Sequence, residues 1–255
     1  MKLVDTWDEW GAVYARLDFW RDEIRTICES NQVEPQSLDC TFPGTHAVFF
    51  VNEDTVLKIF CPVRYNTYRK ELRLHNGPLA QSPMFPQVRF HGRSASGYDY
   101  IAFSMLRGTP VRLIAGDAIP EVAIRDLAHT IAALQSKTLK RTDGGGPSCL
   151  VHYDLTEDHV YLDTEGRLAG IIDFGDAKMG HPSEEFPALF VACLGCDDSL
   201  IAVFRKAYDD KAGHYRIDDG EVAEALKRHP FGPEMIAHMR CLDTRFARDL
   251  LHRLE

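Results

Sequence analysis

Apolar residues recur at three- and four-residue spacing over positions 5–30. Trp7, Trp10, Val13, Tyr14, Leu17, Trp20 and Ile24 would share one helical face there. The period then changes. Within 39–62, the runs "HAVFFV" and "TVLKIF" flank the turn "NED" and predict a hairpin. A helix is predicted over 64–76, "RYNTYRKELRLHN", ended by Gly77 and Pro78. "FPQVRFHGRSASGYDYIAFSML" predicts a second hairpin across "RSASG", after which "RGTP" breaks the pattern. The stretch 118–138 is amphipathic and predicts a helix, and "TDGGGPS" reads as a loop. A short strand follows, then two apolar runs, "HVYLD" and "LAGIIDF", joined by "TEG". From 184 onward the pattern is helical.

Strands therefore cluster early and helices late. That order predicts an α+β protein of two lobes, not an alternating α/β sheet. The first lobe is an antiparallel sheet with helices, and the second is mainly helical. The connector at 106–109 is the natural boundary, giving expected domains 1–106 and 107–255. A chain of 255 residues can bury a core in each.

Composition narrows the partners. Apolar content of 45% is ordinary for a globular protein. There is no uninterrupted apolar run of membrane-spanning length, and "MKLVDTWDEWG" has no apolar stretch of secretory type. Seven cysteines at irregular spacing do not form a disulfide framework, so the expected compartment is the reducing cytoplasm. Cys193 and Cys196 make a CxxC with no second pair nearby, which reads as buried packing before metal or redox chemistry. The net charge of −9 argues against nucleic acid and anionic membranes as partners. It favours a small cationic partner, although plain solubility accounts for it equally well.

The chemistry concentrates in "LVHYDLTEDHVYLD" and "IIDFGDA". His152 stands two residues before Asp154, His159 five residues after it, and Asp173 heads the second motif. Transfer of a γ-phosphoryl group needs a carboxylate at the attacking hydroxyl, metal ligands bridging the phosphates and a cation on the phosphates. Asp154 suits the first role, and His159 with Asp173 the second. The two apolar runs would form the hairpin that returns Asp173 beside Asp154. His152 reads as a structural hydrogen-bonder for this loop before it reads as a base.

These motifs resemble the aminoglycoside phosphotransferase and choline-kinase-like family, which shares the bilobal protein-kinase fold. The family pattern H-x-D-x-x-x-x-N, I-D-[FW]-x-x-A and G-D-P is represented by "HYDLTEDH", "IIDFGDA" and "GHP". The resemblance extends upstream, over roughly 40–190. It implies that Lys58 in "TVLKIF" contacts the α- and β-phosphates and that Glu71 in "YRKELRLH" positions it. It implies a hinge strand in "IAFSMLRGTPV", with Phe103 in the gatekeeper position beside the nucleobase and Ser104 and Leu106 offering backbone groups to it. It implies Mg2+ held by His159 and Asp173, and ATP or GTP as co-substrate; relatives with an aromatic gatekeeper often accept GTP. Three positions depart from the pattern. His159 replaces the usual asparagine, as in members resembling aminoglycoside 2''-phosphotransferases and hygromycin kinases. His181 replaces the usual aspartate. The phosphate loop "FPGTHAVFF" carries a single glycine, Gly44.

The expected activity is phosphorylation of a hydroxyl on a small cationic molecule by a monomeric kinase. An aminoglycoside is the leading acceptor, because carboxylates crowd the C-terminal half, beginning with Glu184, Glu185, Asp197 and Asp198. A solvated acidic surface explains many of them as well. Choline, homoserine or another amino alcohol remain open as acceptors. So does a nucleotide-binding pseudokinase with a regulatory role, resting on His159, His181 and the thin glycine loop. A metallohydrolase using His152, Asp154 and His159 leaves the upstream matches unexplained.

Overall fold

The computed structural model describes residues 3–40, 44–63, 66–114, 119–141, 146–213 and 215–254. The chain divides into two units, Met1–Leu106 and Arg107–Glu255. In the first, strands β1 (Leu38–Cys40), β2 (Ala47–Val51), β3 (Thr55–Ile59), β4 (Val88–Arg93) and β5 (Asp99–Ser104) form an antiparallel sheet in the order β1-β2-β3-β5-β4. Strand alternation sends Phe49, Val51, Leu57, Ile59, Tyr100 and Ala102 into one core with Trp10, Trp20, Ile24 and Ile27. Ile101 and Phe103 form a second cluster with Phe60, joined by Tyr68 and Leu72 of α3 (Tyr68–His75). Helices therefore cover both faces, and β3 is buried at four of its five positions.

The single helix expected over 5–30 is two helices, α1 (Trp7–Val13) and α2 (Leu17–Ser30). Arg16 is extended between them, and the Trp20 indole donates to the Val13 carbonyl at 2.9 Å. The break lets Trp10 meet Trp20 edge to face at 5.6 Å. An unbroken helix would hold residues ten apart at about 15 Å along its axis. Both hairpins of this unit form where the pattern placed them.

In the second unit, helix α4 (Glu121–Thr138) starts immediately after Pro120 and packs along α5 (Asp198–Ala212). Two three-stranded sheets sit beside them. One joins β6 (Thr109–Pro110) to the hairpin of β9 (Val160–Leu162) and β10 (Leu168–Ile171). The other pairs β8 (Pro147–Val151) with β7 (Lys140–Arg141) and with β11 (Lys178–Gly180), a strand that the sequence pattern does not signal. Gly108 in the "RGTP" break is needed sterically: a Cβ there would lie 2.5 Å from the Leu162 carbonyl. The remainder is a 3-10 turn over Pro182–Glu185, a π-helical turn over Ala188–Cys193, and helices α6 (Asp219–Arg228), α7 (Gly232–Met239) and α8 (Arg245–Leu254). Among the described residues no helix is long and apolar enough to cross a membrane.

Candidate active site

In the first unit the structure joins the two residues that sequence reasoning paired. Lys58 on β3 donates to both carboxylate oxygens of Glu71 on α3, at 2.9 and 3.0 Å. Both side chains are buried. The Thr67 hydroxyl adds a donor to Glu71 Oε1 at 2.6 Å. A buried ion pair offsets its desolvation only with such geometry and additional hydrogen bonds. Phe103 lies on the sheet face shared with α3, its ring 4.7 Å from that of His75. Ser104 and Met105 spend their N–H groups on the carbonyls of Gln87 and Asp54, at 2.7 and 2.8 Å. Leu106 N–H makes no such bond among the described residues. A Cβ at Gly44 would meet nothing within 4 Å, so local sterics do not demand glycine there. Residues 42 and 43 of the same loop lie outside the described residues. The neighbouring His46 is committed structurally, its Nδ1 accepting the Cys61 N–H at 3.1 Å.

In the second unit, residues 152–159 leave β8 as a loop gripped at three consecutive backbone groups. Glu185 Oε2 accepts the His152 N–H at 2.8 Å. His229 Nε2 donates to the Tyr153 carbonyl at 3.0 Å. His159 Nδ1 donates to the Asp154 carbonyl at 2.6 Å. The last bond fixes a tautomer. With its proton on Nδ1, the neutral His159 ring carries its lone pair on Nε2, and Nε2 stands 4.0 Å from Asp173 Oδ2. Asp154 and His159 are thus coupled through the loop backbone, and Asp173 joins them from the end of β10. His152 is fully buried, donates through Nε2 to the Ile172 carbonyl at 2.8 Å, and rests its ring on Phe174 at 4.6 Å. Burial, reinforced by His159, holds its pKa down at about 3, so it stays neutral and serves as a strut.

Burial raises the Asp154 carboxyl to about 6; His159 opposes the rise, and Asp176, Asp173 and Asp158 add to it. Asp154 lines a cavity of about 690 Å3, together with Thr156, Glu157, Phe231 and Glu234. Neither Glu157 nor Glu234 was singled out from the sequence, because nothing in its periodicity marks them. His229 was missed for the same reason.

The expected acidic floor for the acceptor is not formed by the four carboxylates proposed for it. Glu185 is fully buried and holds the 152–159 loop. Glu184 pairs with Lys178 at 2.5 Å and accepts the His181 N–H at 3.0 Å. Asp197 caps α5 through the N–H groups of Ser199 and Leu200, and Asp198 accepts those of Arg245 and Phe246 at the start of α8. Each is occupied by the backbone or by a neighbouring cation. Cys193 and Cys196 are buried with their thiols pushed up to about 12 by burial, as packing residues are. Among the described residues no group of three or more His, Cys, Asp or Glu side chains is placed to hold a metal ion.

Residues 137–220, from the end of α4 through this loop to the start of α6, match the model of the phosphotransferase enzyme family. The match covers about a third of the chain. Solved phosphotransferases share its fold over nearly the whole length. The GDP complex of aminoglycoside 2'-phosphotransferase IIIa aligns at a TM-score of 0.64 and 17% identity, covering 94% of this chain and 97% of that one. The ADP-bound aminoglycoside phosphotransferase APH(2'')-Ib aligns at 0.60 and 17%, covering 91% and 97%. The macrolide 2'-phosphotransferase MphH of Brachybacterium faecium aligns at 0.59 and 16%, covering 92% and 98%. A comparison with curated protein sequences gives no match. The fold is therefore the expected α+β, two-lobed one of these phosphotransferases.

Proposed function

We propose that this phosphotransferase moves the γ-phosphoryl group of ATP or GTP to a hydroxyl of a small cationic molecule seated in the cavity beside Asp154. The observation that carries this is the dual use of Asp154. Asp154 lines the cavity, while its carbonyl sets the His159 tautomer that faces Asp173. One residue thereby ties the acceptor position to the phosphate side. Similar folds have been solved with GDP, with ADP, with ATP and streptomycin together, and with kanamycin.

Asp154 orients the acceptor hydroxyl and takes its proton as the new P–O bond forms. Lys58, held by Glu71, contacts the α- and β-phosphates. In the hinge, Phe103 closes the rear of the base slot, and the free Leu106 N–H, with the Ser104 carbonyl, is available to either purine. The loop around Gly44 covers the phosphates. The region 1–106 is then the nucleotide lobe, and 107–255 the catalytic and acceptor lobe. His159 and Asp173 fit a divalent cation. The lone pair on His159 Nε2 and the Asp173 carboxylate, 4.0 Å apart, are a nitrogen and an anionic oxygen that could hold one divalent cation between them. Mg2+ held by these two residues would supply positive charge against the phosphate charge that develops during transfer.

The test is Mg2+-dependent nucleotide turnover with a panel of hydroxylated amines. Wild type is expected to transfer phosphate to at least one of them. Asp154→Asn should lose on the order of a hundredfold or more in transfer while keeping nucleotide affinity. Wild-type turnover in that variant would overturn the role given to Asp154. Nucleotide binding without transfer to any acceptor would favour the pseudokinase.

A further inference from the structure

The stretch that leads from Gly44 into β2 is tied to α1, to the residue pair after β3 and to the start of α3. The Trp10 indole donates to the Thr45 carbonyl at 2.9 Å. The Cys61 N–H donates to His46 Nδ1 at 3.1 Å, and His46 Nε2 lies 3.3 Å from the Thr67 hydroxyl oxygen. The His46 ring is buried, 4.9 Å from that of Phe60. Phe60 is fully buried in turn, with Lys58 Nζ 5.4 Å from its ring centre.

Donors and acceptors give these contacts a direction. Nδ1 accepts the Cys61 N–H, so the neutral His46 ring carries its proton on Nε2 and donates it to Thr67 Oγ1. Thr67 Oγ1 donates its own hydrogen to Glu71 Oε1 at 2.6 Å, because an ionised carboxylate only accepts. Glu71 also accepts from Lys58 at both oxygens. A one-way chain thus runs from His46 through Thr67 to Glu71 and ends at the Lys58 ammonium. Thr67 stands at the N-cap of α3, where a hydroxyl ordinarily accepts an N–H of the first helical turn. It makes no such bond and turns to Glu71 instead. That choice gives up helix stabilisation for a contact with a carboxylate that Lys58 already neutralises.

We propose that His46 and Thr67 are positioning residues for Lys58, and that through them the loop after Gly44 and the Lys58–Glu71 pair are held as one unit. This rests on the phosphotransferase reading, in which Lys58 contacts the nucleotide phosphates, and adds what aims it. An ion pair between two flexible side chains fixes each relative to the other but not relative to the fold. Thr67 supplies that reference, because its hydroxyl fixes Glu71 Oε1 and is itself held by a ring locked to the Cys61 backbone. An ammonium carries three donors, and the two directed at Glu71 set where the third points. The single glycine of the loop fits this arrangement. A loop anchored at Thr45 and His46 arrives in place and does not depend on the backbone freedom that several glycines would give.

Calorimetry on the full chain, with ATP and GTP in Mg2+ and with adenosine and guanosine, reads the effect. Thr67→Val keeps the shape and removes the hydroxyl. It should weaken triphosphate binding about tenfold, as loss of a hydrogen bond to a charged group does. Nucleoside affinity should not change, because a nucleoside has no phosphate for Lys58 to meet. His46→Phe should approach the same loss. Thr67→Ser and His46→Gln keep the donors and acceptors and should stay within about threefold of wild type. In a Lys58→Met, Glu71→Leu background, Thr67→Val should weaken triphosphate binding no further, since the pair it acts through is gone. The stoichiometry counts folded molecules, so a variant that loses only stability shows full affinity at lower stoichiometry. Wild-type triphosphate affinity in Thr67→Val, equal losses in the Val and Ser variants, a loss shared by the nucleosides, or a further loss in the Met–Leu background overturns the proposal. The phosphotransferase reading fails by a different result, nucleotide bound but its phosphoryl group never transferred across the amine panel.

Discussion

Glu185→Gln should make the protein more stable at alkaline pH, and by an amount that grows with pH. The Glu185 side chain is fully buried, with Oε2 accepting the His152 N–H at 2.8 Å. The Gln135 amide approaches without closing a hydrogen bond, since its Nε2 and Glu185 Oε1 both lack partners. Burial pushes the carboxyl up from 4.5 to about 7, against smaller opposing effects of His152 N–H and the Gln135 side chain. Between those two values the folded chain keeps a proton that the unfolded chain has released. Stability therefore falls as pH rises through this window, and the loss is complete above about pH 8. At about 1.36 kcal/mol per tenfold, the ionised carboxylate costs on the order of 3 kcal/mol. Glutamine keeps an acceptor for the His152 N–H and cannot ionise.

The variant and wild type should thus agree within about 1 kcal/mol at pH 5 and separate to roughly 3 kcal/mol at pH 8. For a chain of this length that is a rise in Tm of about 5–10 °C at the higher pH. Thermal or urea denaturation of both proteins across pH 5–8 measures it. All other titrating groups are shared, so they cancel in the difference. A difference independent of pH, or a glutamine variant less stable at pH 8, would refute the reasoning. It would mean that Glu185 ionises in place without penalty.

Two further predictions follow from the hydrogen bonds that hold the site. Glu71→Ala leaves the Lys58 ammonium buried without its carboxylate and should cost about 3–5 kcal/mol in urea denaturation. The double change Lys58→Met with Glu71→Leu should recover most of that stability but no phosphoryl transfer. His229→Phe keeps a ring beside Tyr153 and removes the donor to its carbonyl. Transfer should fall about tenfold with nucleotide affinity unchanged, and His229→Gln, which retains an N–H donor, should restore much of it. Equal losses in the Phe and Gln variants would mean that His229 only packs.

What the sequence reveals is what is periodic or local. The alternation in "HAVFFV" and "TVLKIF" shows the β2–β3 hairpin, and with it the strand position of Lys58. The helix that follows carries Glu71 thirteen residues later, and the two meet. The spacing of His152, Asp154 and His159 shows the loop, because its geometry is encoded within eight residues. Other features are set by contacts distant in sequence. The break between α1 and α2 depends on Trp10 and Trp20 sharing a core beneath Tyr98. Strand β11 is three residues long and owes its form to β8. The role of Glu185 is invisible in "PSEE", where two neighbouring glutamates look alike and only the fold buries one. A count of carboxylates could not distinguish those capping helices from Glu157 and Glu234, which make no ion pair among the described residues.

The loop that carries Asp154 is held by these distant residues because it cannot hold itself. Tyr153 has φ +74° and Asp173 φ +60°, a left-handed region that residues with a Cβ enter at a cost of about 1–3 kcal/mol. Neither position is glycine, so the surroundings must supply the compensation. For Tyr153 they do so on both sides. Its carbonyl accepts from His229, while its ring lies 4.6 Å from the His229 ring and 3.5 Å from Lys178 Nζ. Glu185 holds the residue before it, and His159 the residue after it. In the proposed reaction, a loop backbone held in this way at Asp154 does not have to be ordered when an acceptor arrives, and avoiding that entropy loss is how positioning contributes to rate. The anchors come from the 3-10 turn after β11 and from the end of α6, segments on either side of the π-helical turn that lines the cavity. A change in cavity lining at α7 therefore acts two residues from His229, and substitutions at Phe231 should be judged by their effect on kcat as well as on KM.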